Sequence, residues 1–402
     1  MRCAIRTCRL CLLTFEPTKH ARWPAHCARA IQKLAVSSLS PSKKKSSSSC
    51  PVDRLDAFAR TIPTDAPESD GTLEWDSTTI VVVQVHAGDA SGLGYTYAHD
   101  AAVRLIEDKL APAVRGFDAA GGDVTSAWHE MGRLLRNVGR PGMGFMALSA
   151  VDIALWDLKA RVLGQPLVDL LGGVRDEAAV YGSGGFTSYS LERIAEQLAG
   201  WVADGIPRVK IKVGRSPAED PARLDAARGA IGDDTELYVD ANGAFERHDA
   251  LEWAQRYARD WGVTWFEEPV SSADFAGLRY VRENARLDVA AGEYAFVPAD
   301  FSNLLEARAV DCLQADVTRC GGYTGFLHAA ALAGQHGVEI SAHCAPQVSA
   351  HACCAVPQFR HLEYFHDHVR VERQLFDGVL EPEAGALRPD RSRPGHGLEL
   401  KA

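Results

Sequence analysis

From Ala178 onward, short apolar runs alternate with longer stretches in which apolar residues return every three to four positions. The short runs read as strands, and the longer stretches read as helices with one face toward a core. The predicted strands are Ala178–Tyr181, Arg208–Val213, Glu236–Asp240, Val263–Glu267, Asp288–Gly292, Asp311–Ala315, Val338–Ala342 and Leu362–Glu363. The predicted helices between them are Leu191–Ala203, Asp220–Ile231, His248–Trp261, Ala273–Asn284, Phe301–Ala309, Thr324–His336 and Ser349–Val356. Eight strands and seven intervening helices, repeating about every 20 to 30 residues, predict a nearly complete (β/α) barrel over residues 174–375.

Before this repeat the pattern differs. Thr78 to His86 (TTIVVVQVH) is β-branched and reads as a strand, and Gly88 to Gly94 reads as turn chemistry. Ala101–Leu110 and Val124–Leu135 read as helices, and Phe145–Leu171 as a long helix broken near Gly164-Gln165-Pro166. This grouping predicts an α+β domain over residues 52–173. The Pro- and Gly-rich end, residues 376–402, is expected to pack back against that domain.

Composition changes the picture only at the N-terminus. Residues 1–50 carry ten Lys/Arg against the single Glu16, about +9, within a chain whose net charge is −10. Lys43-Lys44-Lys45 sits inside a Ser-rich stretch, so residues 1–51 are expected to be a disordered basic extension. Its acid-poor, Arg-rich character suits a mitochondrial transit peptide, but its patchy amphipathicity favours upstream sequence read as protein. Cys8-x-x-Cys11 lacks a second pair at zinc-finger spacing. Cys312, Cys320, Cys344, Cys353 and Cys354 lie in apolar contexts, so a reducing, cytoplasmic protein without structural disulfides is expected. The acidic remainder argues against nucleic acid as a partner, and no apolar run is long enough to span a bilayer.

Each predicted strand from the second onward ends in or is closely followed by a chemically capable side chain. In a closed parallel barrel those ends open on one face, so Lys210, Lys212, Asp240, Glu267, Glu293, Asp316, His343 and Glu363 are expected to converge. Any one carboxylate at a strand end is explained by helix capping. Asp240, Glu267 and Glu293 on three consecutive strands repel one another and call for a divalent cation; three oxygen donors favour Mg²⁺ over zinc. Lys210 and Lys212 project to one face, about 6.6 Å apart. At an effective dielectric near 20 they repel by about 2.5 kcal/mol, which predicts that one is a neutral base near pH 7. Asp316 and His343 on neighbouring strand ends predict an acid-oriented imidazole. Glu363 in an apolar setting is expected to have a raised pKa and to donate a hydrogen bond to a developing anion. Asn242 and Arg319 are candidates to touch substrate or the carboxylates, and Tyr95 and Tyr97 are placed on a loop suited to binding hydroxyls. His351, His361, His366 and His368 read as ordinary surface or core histidines.

The order Lys-x-Lys at Lys210/Lys212, Val-Asp-Ala-Asn at Asp240, Glu-Glu-Pro at Glu267, Gly-Glu at Glu293, Asp-x-x-x-x-Gly-Gly at Asp316, Ser-Ala-His at His343 and Leu-Glu at Glu363 resembles the enolase superfamily, and within it the mandelate racemase subgroup. The resemblance covers the chain from about Val52 and implies a modified TIM barrel, (β/α)₇β, under an N-terminal α+β capping domain. It implies one Mg²⁺ per subunit on Asp240, Glu267 and Glu293, and abstraction of the proton α to a carboxylate to give an enediolate. Lys212 is implied as base on one face with Lys210 as its electrostatic neighbour. His343 with Asp316 is implied on the other face, and Glu363 as a hydrogen-bonding partner of the enediolate. The expected substrate is a small hydroxy-carboxylate, with dehydration of a sugar acid first, and racemisation, epimerisation or cycloisomerisation next. A homo-oligomer is expected. The reading of another class is a catalytically silent barrel used for binding.

Overall fold

The computed structural model describes residues 49–401; the expectations for residues 1–48, including the cysteine spacing there, lie outside the described residues. The N-terminal part is a three-stranded antiparallel sheet, β1 (Arg54–Ser69), β2 (Glu74–Ala87) and β3 (Ala90–Tyr97). Helix α1 (Ala101–Leu105) continues through a π turn, Ile106–Leu110, into α2 (Ala111–Val114), and α3 (Val124–Leu134), α4 (Met143–Leu163) and α5 (Leu167–Leu170) follow. Helix α4 is apolar almost all round because it is enclosed, with the sheet on one side and the barrel on the other.

Two elements here depart from expectation. Gly88 to Gly94 is only partly a turn, since β3 begins at Ala90. The glycines serve packing: a Cβ on Gly92 would lie 2.2 Å from the Ala154 carbonyl oxygen, and one on Gly94 2.2 Å from that of Ala150. Strand and helix therefore approach backbone to backbone. Strand β1 was not anticipated. Its charges and Pro63 hide the strand signal, and the register slips between Pro63 and Glu68, where an edge strand tolerates proline.

The second part is a barrel of eight parallel strands: β4 (Ala178–Gly184), β5 (Arg208–Lys212), β6 (Glu236–Asp240), β7 (Val263–Glu267), β8 (Asp288–Ala291), β9 (Cys312–Ala315), β10 (Glu339–Ala342) and β11 (Phe359–Phe365). Pairing of β11 with β4 closes the ring. Between the strands run α6 (Leu191–Ala203), α7 (Asp220–Ile231), α8 (Arg247–Trp261), α9 (Phe275–Asn284), α10 (Pro298–Glu306), α11 (Gly322–Gln335) and α12 (Pro346–Cys354). A further helix, α13 (His366–Leu375), follows β11; its polar sequence did not announce it.

Three short strands end the chain: β12 (Phe376–Asp377), β13 (Ala386–Leu387) and β14 (Glu399–Leu400). Strand β13 pairs with barrel strand β4, while His396 Nε2 lies 2.8 Å from the Leu93 carbonyl and Arg161 of α4 donates to Glu399 at 2.6 Å. The tail thus touches both parts. The two parts are also joined directly. Trp128 donates to the Gly321 carbonyl at 2.8 Å, Gly321 N–H donates to Ser149 Oγ at 2.9 Å, and Thr324 donates to Asp152 at 2.7 Å. The β1–β2 hairpin reaches the barrel mouth, where a Cβ on Gly71 would lie 2.1 Å from the Ala241 carbonyl. The cysteines of the described residues are unpaired.

Candidate active site at the barrel mouth

The ladder puts Lys212 opposite Asp240 and Asp240 opposite Glu267, so three neighbouring strands end level with one another. Residues paired in register on neighbouring parallel strands project to the same side of the sheet, here the inside of the barrel mouth. Lys210 Nζ lies 2.6 Å from Glu267 Oε1, 2.8 Å from Glu363 Oε1 and 3.4 Å from Asp240 Oδ2. Lys212 Nζ lies 2.5 Å from Asp240 Oδ2. On the other side His343 Nδ1 lies 2.7 Å from Asp316 Oδ2, and His343 Nε2 lies 3.3 Å from Glu293 Oε2 and 3.6 Å from Glu363 Oε2. All eight strand-end residues are buried and together.

Asp240, Glu267 and Glu293 each turn an oxygen inward, and these atoms lie within 4.8 Å of one another. Burial, then the neighbouring Asp240 charge, pushes Glu267 up to about 8. Glu293 Oε2 is buried without a hydrogen-bond partner, although His343 Nε2 lies 3.3 Å away. Three buried carboxylates with an orphaned oxygen fit a hard divalent cation of the Mg²⁺ kind.

Two electrostatic expectations are corrected. Burial is the largest influence on Lys210 and Lys212 and favours the neutral amine. The facing carboxylates, Glu267 and Glu363 for Lys210 and Asp240 for Lys212, outweigh it and also outweigh the repulsion between the two lysines. Both amines are therefore held as ammonium, the reverse of the expected neutral base. Glu363 is likewise buried, yet Lys210 and then His343 hold its carboxyl well below the usual range. It accepts hydrogen bonds from Ser183 Oγ at 2.6 Å and from Cys344 N–H at 3.3 Å, so it is an ionised acceptor, contrary to the expected donor. For His343, burial opposes protonation, but Glu293, Glu363 and Asp316 prevail and raise its pKa.

The weaker candidates divide. Asn242 stands beside Asp240 at positive φ (46°), its N–H donated to Asp240 Oδ1 at 2.9 Å and its side-chain oxygen buried without a partner. Arg319 spans Glu293 and Asp316, 3.5 Å from each. Tyr95 and Tyr97 lie on strand β3, and no loop carries them. Tyr95 is fully enclosed and donates its hydroxyl to Glu372 at 2.6 Å, which removes it from any substrate surface. Tyr97 is also buried, its ring stacked on His368 at 3.4 Å.

Some residues at the site escaped sequence reasoning. Glu268 follows Glu267 directly, has φ of 42°, and buries Oε1 without a partner. Its signal was the doubled glutamate itself. Ser183 and Cys344 contact Glu363, and His368 accepts the Ala345 N–H at 3.2 Å. A cavity of about 700 Å³ lined by Trp201, Tyr364, His366, Arg370 and Arg373 lies outside the barrel and holds none of the strand-end residues.

A capped parallel barrel with this order of groups around its mouth defines an enzyme of the enolase superfamily, a lyase or an isomerase. Residues 193–402 match the family described as enolase C-terminal domain-like, and residues 61–172 match the N-terminal domain of mandelate racemase / muconate lactonizing enzyme. The chain belongs to this mandelate racemase / muconate lactonizing enzyme family. It is similar to a mandelate racemase/muconate lactonizing enzyme-like protein from Rubrobacter xylanophilus, with 57% identity and a TM-score of 0.85 over 87% of this chain and 97% of that one. It is 33% identical to the 3,6-anhydro-alpha-L-galactonate cycloisomerase of Streptomyces coelicolor, over 86% of this chain and 96% of the relative. The L-talarate dehydratase of Polaromonas sp. JS666, solved with Mg and L-glucarate, has 29% identity and a TM-score of 0.79 over 88% of this chain and 96% of that one.

Proposed function

We propose that this enzyme removes the proton α to the carboxylate of a sugar acid and then eliminates water from the neighbouring carbon. One observation carries the reading: Lys212 and His343, both proton carriers, reach into the same buried mouth from β5 and β10, with the carboxylate trio between them. Dehydration suits such a pair, because one group can take the α-proton while the other protonates the leaving hydroxyl.

Asp240, Glu267 and Glu293 would hold one Mg²⁺, which supplies positive charge against the negative charge developing on the substrate carboxylate. Lys212 Nζ is the base on one face. It would first release its ammonium proton to solvent, which becomes easier once the charge of Asp240 is engaged by the cation. The neutral amine then takes the α-proton, while Lys210 balances the surrounding carboxylates. His343 Nε2 gives its proton to the departing 3-hydroxyl, so the C–O bond breaks with water as the leaving group, and the enol left behind becomes a 2-keto acid. Asp316 holds the other ring nitrogen and steadies the imidazolium. Glu363, ionised, accepts a substrate hydroxyl hydrogen. Asn242 Oδ1 and Arg319 contact the substrate's polar groups. Support for a sugar acid comes from the L-glucarate bound to the Polaromonas dehydratase. Cycloisomerisation is the second reading, favoured by the Streptomyces relative.

The test is a library of acid sugars incubated with Mg²⁺ in D₂O. The expected result is metal-dependent α-deuteration and a 2-keto acid from at least one member. His343→Asn should lower dehydration by about 10²-fold or more while leaving α-exchange by Lys212 measurable. Full turnover by His343→Asn, or no exchange with any acid, would sink the proposal.

A further inference from the structure

His343 directly follows the last residue of β10, Ala342, and donates its N–H to the Ala315 carbonyl at 2.9 Å before the chain turns sharply. Cys344 and Ala345 follow it with φ of 48° and 44°, two successive non-glycine residues in the left-handed region. Side chains disfavour that conformation, so a pair of them persists only where surrounding contacts hold it. Both residues are buried, and both backbone N–H groups are spent on side chains. Cys344 N–H is donated to Glu363 Oε2 at 3.3 Å, and Ala345 N–H is donated to His368 Nδ1 at 3.2 Å. Glu363 already belongs to the site. His368 is the clamp that nothing else assigns.

The ring of His368 is itself fixed. Tyr97 of β3 stacks on one face, with centroids 3.4 Å apart and planes 9° apart. Phe365 presents an edge contact at 5.0 Å. Accepting at Nδ1 requires the neutral ring with its proton on Nε2. Burial is the main cause that keeps it neutral, pulling the pKa down to about 3; the charge of nearby Asp316 opposes this, and those of His343 and Arg319 reinforce it.

We propose that His368 is a positioning residue: its Nδ1 pins the left-handed turn at Cys344 and Ala345 and thereby aims the ring of His343, while Tyr97 of the capping domain holds His368 in place. The inference rests on the reading that His343 carries a proton to the substrate. It adds a physical link between the cap and that proton carrier. A cap that shifts on β3 moves Tyr97, then His368, then the turn that follows His343.

The test compares His368→Leu, His368→Asn and His368→Gln in the full chain with Mg²⁺. An Asn amide oxygen reaches about where Nδ1 stands, whereas that of Gln extends toward the position of Nε2. In D₂O exchange with both α-epimers of a turned-over acid, His368→Leu should slow exchange on the His343 face by about tenfold or more. Exchange on the Lys212 face should stay within about twofold. His368→Asn should recover most of the loss and His368→Gln little of it. A readout independent of turnover is the downfield proton resonance of His343 Nδ1–H bound to Asp316, in enzyme carrying ¹⁵N-histidine. It should shift or broaden in His368→Leu and return in His368→Asn. A folded His368→Leu with an unchanged face ratio and an unchanged resonance would overturn the proposal. So would equal behaviour of the Asn and Gln variants, a comparison that stands even where the Leu variant does not fold. Wild-type enzyme silent toward every acid would count against the proposed function instead, and the resonance would still decide the role of His368.

Discussion

Lys210 sits 2.6 Å from Glu267 and 2.8 Å from Glu363, and those anions outweigh the second ammonium two residues along the strand. The charge of each group at this mouth is thus set by groups on other strands. The same holds for Glu267, whose pKa burial and the neighbouring Asp240 charge raise against the opposing pull of Lys210. A cation that joins the trio opposes that rise. Calorimetry on the wild-type enzyme should therefore register Mg²⁺ binding, and Glu293→Gln should weaken it by at least about tenfold. Unchanged affinity in that variant would mean that the trio is a proton-sharing cluster and holds no metal. The positions of these residues were legible in the sequence because each strand end could be read from its apolar run. Their protonation was not, because Lys210 and Glu363 are separated by a large part of the chain and meet only in the closed ring.

Strand β3 and helix α4 carry the lesson at the scale of elements. Gly88 to Gly94 reads as a turn because glycine breaks both helix and strand patterns. The structure uses these glycines for clearance, since a Cβ on Gly92 would meet the Ala154 carbonyl at 2.2 Å and the Leu158 nitrogen at 2.4 Å. Gly92→Ala should accordingly cost about 1–3 kcal/mol in urea unfolding, the usual cost of overpacking. Gly200, exposed on α6 with nothing within 4 Å of a Cβ, makes the contrast. Gly200→Ala should stabilise by about 0.5–1 kcal/mol through helix propensity alone. If both substitutions have the same sign, the close approach of β3 to α4 is not what the glycine serves. Barrel strands were easier to read than the cap's first strand. A buried parallel strand is a continuous apolar run, whereas β1 is an exposed edge carrying prolines and charges.

At the scale of the molecule, the junction of cap and barrel is polar and buried. Asp152 on α4 accepts from Thr324 N–H at 3.0 Å and Thr324 Oγ1 at 2.7 Å, and burial, which outweighs those bonds, raises its pKa to about 7. The folded state then binds a proton that the unfolded chain, with an ordinary Asp pKa near 3.9, has released. The stabilisation from this group is complete below about pH 4 and is lost as pH rises toward 7. One such proton is worth at most about 1.4 kcal/mol per pH unit in that window. Asp152→Asn should flatten the fall in stability between pH 4 and 7 by up to that slope, as measured by unfolding at several pH values. An unaltered slope would mean that Asp152 stays ionised at the junction. No described helix is long and apolar enough to cross a membrane.

By itself the sequence determined the barrel, its strand ends and the order of reactive groups around the mouth. Those features depend on local periodicity and on the rule that parallel strands in a closed ring finish on one face. Only the tertiary structure decided that Lys210 and Lys212 are ammonium, that Glu363 accepts, that Tyr95 is enclosed and that His368 holds the turn behind His343. Each of these depends on contacts between residues far apart in the chain, where Coulomb energy and burial outweigh what neighbouring residues dictate.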